Sequence, residues 1–408
     1  MDNASIRNDL LEIFQAAIAS VNGRTVMFNA LSSARISEPV AVISVGKAAV
    51  DMALGVQDVC GDQIQKGLVI TKQGHINDAP YLSENFTVLE SEHPVPGQKS
   101  LIAGNALLDF CYGLEDISKV IVCISGGASS LVEVLPPGLM LQDIQDLTES
   151  LLASGLDIQR INAVRRKLSE IKGGRLATRL LGRDVLAFYI SDVPEDDVAV
   201  IGSGLLAAKQ EPASALGNDL FQLPHMPAQL SPDFPVFENI IHRIVANLDQ
   251  AKLAAAKAAK NLGYEVNVHE EFLDQSVEIT AKNIVDFMKH ATSGIHIWGG
   301  ETVVELPEHP GRGGRNQHLA LHMAKEIQGR SDLIILTAGT DGTDGVTDDA
   351  GALVDGSTVE RGERNGRDID NDLQQANSNV FLEASGDLIT TGPTGTNVMD
   401  LLIAYKDR

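Results

Sequence analysis

The chain has 408 residues, 44% hydrophobic and 21% charged, a globular composition too long for one ordinary core, so two domains are expected. Its formal net charge of −23 repels nucleic acid and anionic membrane, which excludes both as expected partners. No apolar run approaches the roughly 20 residues that cross a bilayer, and the acidic opening lacks the basic region of a secretory signal, so a cytoplasmic protein is expected.

The elements alternate. Residues 8–21 have a helical period, 40–45 form a short apolar strand ending at Gly46, and 47–59 read as helix. Strands follow at 67–71 and 86–90, a helix at 99–112, and a buried strand at 119–124. Helical patterns cover 139–153 and 157–181, the second interrupted by Gly173-Gly174, before a strand at 184–190. Strands that are apolar throughout and alternate with helices imply a parallel sheet covered on both faces. From about 209 to 237 the sequence turns Pro-, Ala- and Gln-rich and reads as loop and linker. A connecting helix is expected over 236–262. A second α/β pattern then has strands at 264–268, 294–298, 302–306 and 333–338, helices at 276–290 and 315–328, and a last apolar helix at 396–405.

Four glycine-punctuated segments carry the chemistry: Ser44-Val45-Gly46-Lys47, Cys123 to Ser130, Gly311 to Gln317, and Thr337 to Gly345. Strands running into such loops, with helices leaving them, present open N–H groups to an anion. In an acidic chain the local positive charge has to come from Lys47, Arg165, Arg166, Lys172, Arg312 and Arg315. A lysine opening a helix opposes the macrodipole, so Lys47 is either solvated or set beside an anion. Ser125-Gly126-Gly127-Ala128-Ser129-Ser130 follows a buried strand and suits a phosphate, with a ligand-free tight turn as the bland alternative. Arg315, after Gly314, suits a bidentate grip on phosphate or carboxylate. Asp192 follows a strand, where a carboxylate holds Mg²⁺ or accepts a hydroxyl proton, with an Asx-turn as the competing reading. Thr337 to Asp349 carries Asp341, Asp344, Asp348 and Asp349 without EF-hand spacing, and one carboxylate at the strand end is expected to touch a metal. His93-Pro94 reads as a rigid turn, and Trp298 as core. Gly202-Ser203-Gly204-Leu205-Leu206-Ala207 formally matches a dinucleotide fingerprint, but its short strand and the following Pro-rich stretch leave no room for a βαβ unit. The three cysteines, Cys60, Cys111 and Cys123, lack metal spacing and read as buried thiols.

Together these segments resemble the class II glycerate kinases, whose smaller domain is called MOFRL. The resemblance covers nearly the whole chain and also includes Glu92-His93-Pro94-Val95-Pro96, Asn162 to Ser169, Ile171 to Ala177 and Ser191-Asp192-Val193. It implies an α/β fold of two domains, a larger Rossmann-like parallel-sheet α/β/α domain over 1–235 and a smaller α/β domain over 263–408, with an inter-domain cleft between them. The C-terminal helix would pack back on the first domain. It implies phosphorylation of D-glycerate by ATP with Mg²⁺, at the 2-hydroxyl in most members, giving 2-phosphoglycerate. Lys47, Asp192, Arg315 and Asp341 match the family's catalytic positions. Ser125, Gly126, Gly127, Ser129, Ser130 and Gly314 would bind nucleotide, and Asp192 and Asp341 would hold the metal. The sequence departs from the family pattern in three places: Glu195 stands for glycine, Leu205-Leu206 for Pro-Thr, and Lys167 for a common histidine. An NAD(P)H-dependent hydroxypyruvate reductase and a non-catalytic nucleotide- or acid-binding relative are the rival readings. A homodimer is the base-rate expectation.

Overall fold

Buried runs of β-branched residues set the frame of this protein. Val40–Val45 is fully buried along its length, as a strand must be when helices cover both faces of its sheet. The computed structural model describes residues 3–34, 36–76, 78–146, 163–164, 166–209 and 227–407. Of the helix expected at 157–181, residues 157–162 and 165 lie outside the described residues; the rest is not one long helix, because the backbone leaves the helical path over 168–174 and only a single turn, Arg175–Thr178, follows. Most of the Pro-rich linker and the end of the helix expected at 139–153 also lie outside the described residues. Contacts divide the chain into two units, Gly23–Val245 and Met1–Asn22 with Ala246–Arg408. Helix α1 (Asn3–Ser20) thus groups with the C-terminal unit, not with the first domain as the sequence suggested. It packs against a later helix, residues 248–261, and its buried face is Ile6, Leu10, Ile13, Phe14, Ala17 and Ile18.

In the N-terminal unit, β1 (Val40–Val45), β2 (Ile64–Lys72), β3 (Phe86–Ser91), β4 (Lys119–Ile124), β5 (Asp184–Ile190) and β6 (Ile240–Ala246) form one sheet in the order β3-β2-β1-β4-β5-β6. The pairings among β1 to β5 are all parallel. This is the dinucleotide-fold strand order, and it reverses direction between β1 and β4, where open α/β sheets bind ligands. Helices α2 (Gly23–Leu31), α3 (Ala49–Cys60) and α4 (Gln98–Tyr112) belong to this unit. Helices α2 and α3 approach so closely that a Cβ on Gly55 would sit 2.4 Å from the Arg24 carbonyl oxygen. Single-turn helices α5 (Ala128–Leu131) and α6 (Arg175–Thr178) follow.

The C-terminal unit holds a mixed sheet, β11-β10-β9-β12-β8-β7. Its strands are β7 (Val266–Leu273), β8 (Gly294–Gly300), β9 (Leu333–Gly339), β10 (Gly351–Asp355), β11 (Leu388–Ile389) and β12 (Asp400–Lys406). Only β7 and β8 pair parallel; the other pairings are antiparallel. Helices α7 (Leu248–Asn261), α8 (Val277–His290), α9 (Arg315–Glu326), α10 (Thr358–Arg364), α11 (Ile369–Gln374) and α12 (Ser378–Ser385) complete it.

Two more expected helices are corrected. Residues 240–246 of the connecting segment form strand β6, and α7 starts only at Leu248, capped by Asn247, whose side chain accepts from the Gln250 N–H. The last apolar segment is strand β12, paired on both sides by β8 and β9, so its apolar run is explained by burial on both sheet faces. The strand expected at 302–306 reduces to an isolated bridge between Val303 and Ser276. No described helix is long and apolar enough to cross a membrane.

Candidate active site

Each unit carries its own cluster of chemistry. In the N-terminal unit, the carboxyl ends of β1 and β4 are stitched together: the Ser125 N–H donates to the Val45 carbonyl (3.0 Å) and the Lys47 N–H to the Gly126 carbonyl (2.9 Å). Gly46 has φ +135°, and a Cβ there would lie 2.1 Å from Ser125 Oγ. Only glycine lets the two loops approach this closely. Lys47 therefore lies in the turn before α3, not in the first turn of that helix as the sequence suggested. The Gly127 backbone is left-handed (φ +86°), and a Cβ on it would stand 3.0 Å from the His93 ring and 3.3 Å from Lys47 Cγ. His93 and the Lys47 stem thus flank the Gly126-Gly127 turn at the sheet's switch point. His75 adds a second imidazole, with Nδ1 3.3 Å from the Lys47 carbonyl.

The serines of this loop are bound internally. Ser125 Oγ accepts the Ala48 N–H at 3.1 Å, Ser130 Oγ donates to the Gly127 carbonyl at 3.1 Å, and Ser129 Oγ lies 2.7 Å from Ser203 Oγ. Each of these hydroxyls thus already has one partner within the fold. What remains is backbone: among the described residues, the Gly126 and Gly127 N–H groups have no acceptor. Asp192 lies just past β5, half-buried, in a segment where Ser191 Oγ donates to the Val193 carbonyl. Lys172, a sequence candidate for phosphate, is fully buried and ion-paired with buried Glu133, so its charge is already compensated. Glu195 is exposed.

The glycines of Gly202-Ser203-Gly204 serve packing. The segment is a short 3-10 turn, and a Cβ on Gly204 would meet the carbonyls of Ala207 and Ala199 at 2.5 and 2.6 Å. It is not the strand-to-helix turn that a dinucleotide pyrophosphate requires.

In the C-terminal unit, antiparallel register brings three carboxylates to one end of the sheet. Asp400 opens β12 and pairs with Gly300 at the end of β8 and Gly339 at the end of β9. Glu301 and Asp341 follow those two strands. Arg315, the first residue of α9, donates Nε to Asp400 Oδ2 at 2.5 Å and Nη2 to Oδ1 at 3.1 Å, and pairs with Glu301 at 2.7 Å. Burial works against its charge, but the carboxylates of Asp400, Glu301 and Asp344 reverse that and raise its pKa. The guanidinium stays charged and aimed. Asp341 Oδ1 accepts from the Thr343 N–H at 3.0 Å, and Asp341 and Asp400 each come within 3.4 Å of the Cβ position of Gly339.

The N-terminus of α9 is not open to a phosphate. Buried Asp344 accepts the Asn316 N–H at 3.1 Å and the Gln317 N–H at 2.8 Å; burial pushes its carboxyl up to about 7, against the pull of these two donors. A Cβ on Gly314 would meet the Asp344 carboxylate at 2.3 to 2.4 Å. Gly314, expected to bind nucleotide, makes room for the Asp344 carboxyl. Arg312 is exposed on the surface. A cavity of about 140 Å³ lies along β7 and α8, bounded by His269, Phe287 and Trp298, and touches none of Arg315, Asp341 or Asp400. Trp298 is buried and stacked on His269 at 3.9 Å, a core role as expected.

Sequence reasoning passed over four residues: Asp400 and Glu301, which hold Arg315, and His93 and His75, which flank Lys47. His93 alone had a signal, its place in a segment shared with the family.

A family model described as a domain of unknown function (DUF4147) matches residues 9–220, and the MOFRL family model matches 294–400. The chain is 35% identical to D-glycerate 2-kinase of Thermotoga maritima, an alignment covering 98% of this chain and 99% of that protein. The chain belongs to the glycerate 2-kinase family. A glycerate kinase crystal structure from the same organism superposes with a TM-score of 0.84 at 34% identity, covering 99% of this chain and 100% of that one. Another family relative, from Agrobacterium vitis, is 33% identical over 98% of this chain and 94% of its own length and is named, only provisionally, a hydroxypyruvate reductase.

Proposed function

We propose that this protein transfers the γ-phosphoryl group of ATP to the 2-hydroxyl of D-glycerate, releasing ADP and 2-phosphoglycerate. The observation that carries the reading is the cradle at the switch point: Lys47 and His93 flanking the paired N–H groups of Gly126 and Gly127. Phosphoryl transfer asks a protein mainly for positioning and charge neutralisation. The Gly126-Gly127 amides hold nucleotide phosphate oxygens, and Lys47 offsets charge on the group in transit. Arg315, fixed by Asp400 and Glu301, grips the carboxylate of glycerate or a phosphate. One carboxylate accepts the hydroxyl proton; the oxygen bonds to the γ-phosphorus as the β–γ bridging bond breaks.

The hard carboxylate oxygens of Asp192 and Asp341 fit Mg²⁺, and these are the residues that would hold it. Bound, Mg²⁺ neutralises phosphate charge. Which aspartate serves as base is open to mutation. A cytoplasmic location belongs to this reading, and the three cysteines, all buried and unpaired, agree with it.

A coupled ADP-release assay across small hydroxy acids tests the reading, with ³¹P NMR locating the product phosphate. ATP turnover with D-glycerate supports it. NADH consumption with hydroxypyruvate, without ADP release, would replace it by the reductase, which the Gly202-Ser203-Gly204 geometry disfavours.

A further inference from the structure

Helices α8 and α9 pack side by side in the C-terminal unit. At their contact, Glu278, His318 and His322 each bring a ligand atom within 4.8 Å of the others. His318 and His322 are one turn apart on α9, so both point to the same side. Their rings stand perpendicular, with centroids 4.8 Å apart. Glu278, in the first turn of α8, places Oε1 3.8 Å from His322 Nε2. His318 Nδ1 lies 2.6 Å from Ser378 Oγ, which fixes that ring and leaves its Nε2 as the ligand atom.

One atom here is unaccounted for. His322 Nε2 is buried and has no hydrogen-bond partner in the protein. Such atoms are rare and call for an explanation. We propose that Glu278, His318 and His322 form a binding site for a divalent cation of the Zn²⁺ type, separate from the metal of phosphoryl transfer. Two imidazoles and one carboxylate suit a borderline cation, whereas Mg²⁺ takes oxygen. Tetrahedral zinc bonds of about 2.0–2.1 Å put ligand atoms about 3.3 Å apart. Small side-chain rotations close that difference. The hydroxyl of Ser378 is the outer partner that a metal-bound histidine ordinarily has. Glu278 is half exposed, which gives the ion a way in and leaves a fourth position to water. The bound ion pins α8 to α9, the helix that begins at Arg315.

The test is metal titration of the full-length protein after chelator treatment and dialysis. Co²⁺ should bind at one equivalent with visible absorption bands of a low-coordinate site, and Zn²⁺ should displace it and raise the melting temperature. His322→Ala should abolish the bands, and Ser378→Ala should weaken binding roughly tenfold. His322→Cys keeps a ligand and should restore binding, now with a thiolate-to-cobalt charge-transfer band; this guards against reading a folding defect as lost affinity. No saturable band in the unaltered protein overturns the proposal. So does undiminished Co²⁺ affinity in His322→Ala.

Discussion

Arg315 and Asp400 form a two-point ion pair, Nε to Oδ2 at 2.5 Å and Nη2 to Oδ1 at 3.1 Å, so the guanidinium plane is fixed by a residue 85 positions away in sequence. Asp400→Asn keeps the shape but removes the charge that orients Arg315. We expect kcat/KM for D-glycerate to fall by roughly 10- to 100-fold, the scale on which small misplacements act, with circular dichroism unchanged. Unaltered kcat/KM would show that the pair has no part in positioning.

Lys47→Ala should lower kcat by about 100-fold or more, the effect of removing one preorganised charge from a transition state. Lys47→Arg should recover only part, because the turn between Gly46 and Ala48 is packed on Ser125. Steady-state ADP release measures both. Near-normal turnover in a folded Lys47→Ala enzyme would dismiss the cradle.

Gly314→Ala drives a methyl group into the Asp344 carboxylate. The cost is overpacking, about 1–3 kcal/mol, seen as a lower denaturation midpoint. An unchanged midpoint would mean that Asp344 does not hold the start of α9.

How much could be read without coordinates differs by element. Strands β1, β4 and β5 were legible because burial on both faces leaves an uninterrupted apolar run. Burial on both faces hid β12, whereas β6 is a half-exposed edge strand; Ile240, Ile241, Ile244 and Val245, like Leu401 to Ala404, satisfy a helical and an extended pattern alike. The family resemblance singled out Asp341, and motif chemistry located Lys47 and Arg315. Motif chemistry alone could not separate Asp341 from Asp344, since both sit in Asp-Gly turns, and only tertiary contact sends Asp344 into the end of α9. Nor does any spacing announce Asp400, whose role comes from facing Gly300 and Gly339 across two strand pairs.

Asp355 gives the protein an acid sensitivity. Burial works against its charge, yet hydrogen bonds from Ser357 and Arg361 outweigh it and hold the carboxyl down at about 2. Arg7 adds a contact at 2.7 Å. A depressed folded-state pKa contributes stability above the unfolded value of about 4 and loses it as the pH falls toward 2. The stability gap between the unaltered protein and Asp355→Asn should be on the order of 2 kcal/mol near neutrality and close between pH 4 and 2. Urea unfolding at several pH values measures it; a constant gap would refute the linkage.

Lys172 and Glu133 are both buried and paired. Lys172→Met strands a carboxylate in the core and should cost roughly 3–5 kcal/mol, while the double change with Glu133→Leu should recover much of that loss. Equal stability of the single and double variants would contradict this.

The grouping of α1 with the C-terminal unit has a consequence for synthesis. Residues 23–245 are spliced, in effect, into the loop between α1 and α7, and they can fold as the ribosome delivers them. Helix α1 emerges before its partners and must wait, because α7 and the sheet it lies on come later. That sheet is itself incomplete until the last residues appear, since β12 is its middle member, bordered by β8 and β9. The opening amphipathic segment therefore spends most of translation without its partner, and a fragment begun at residue 246 would lack the helix that covers α7.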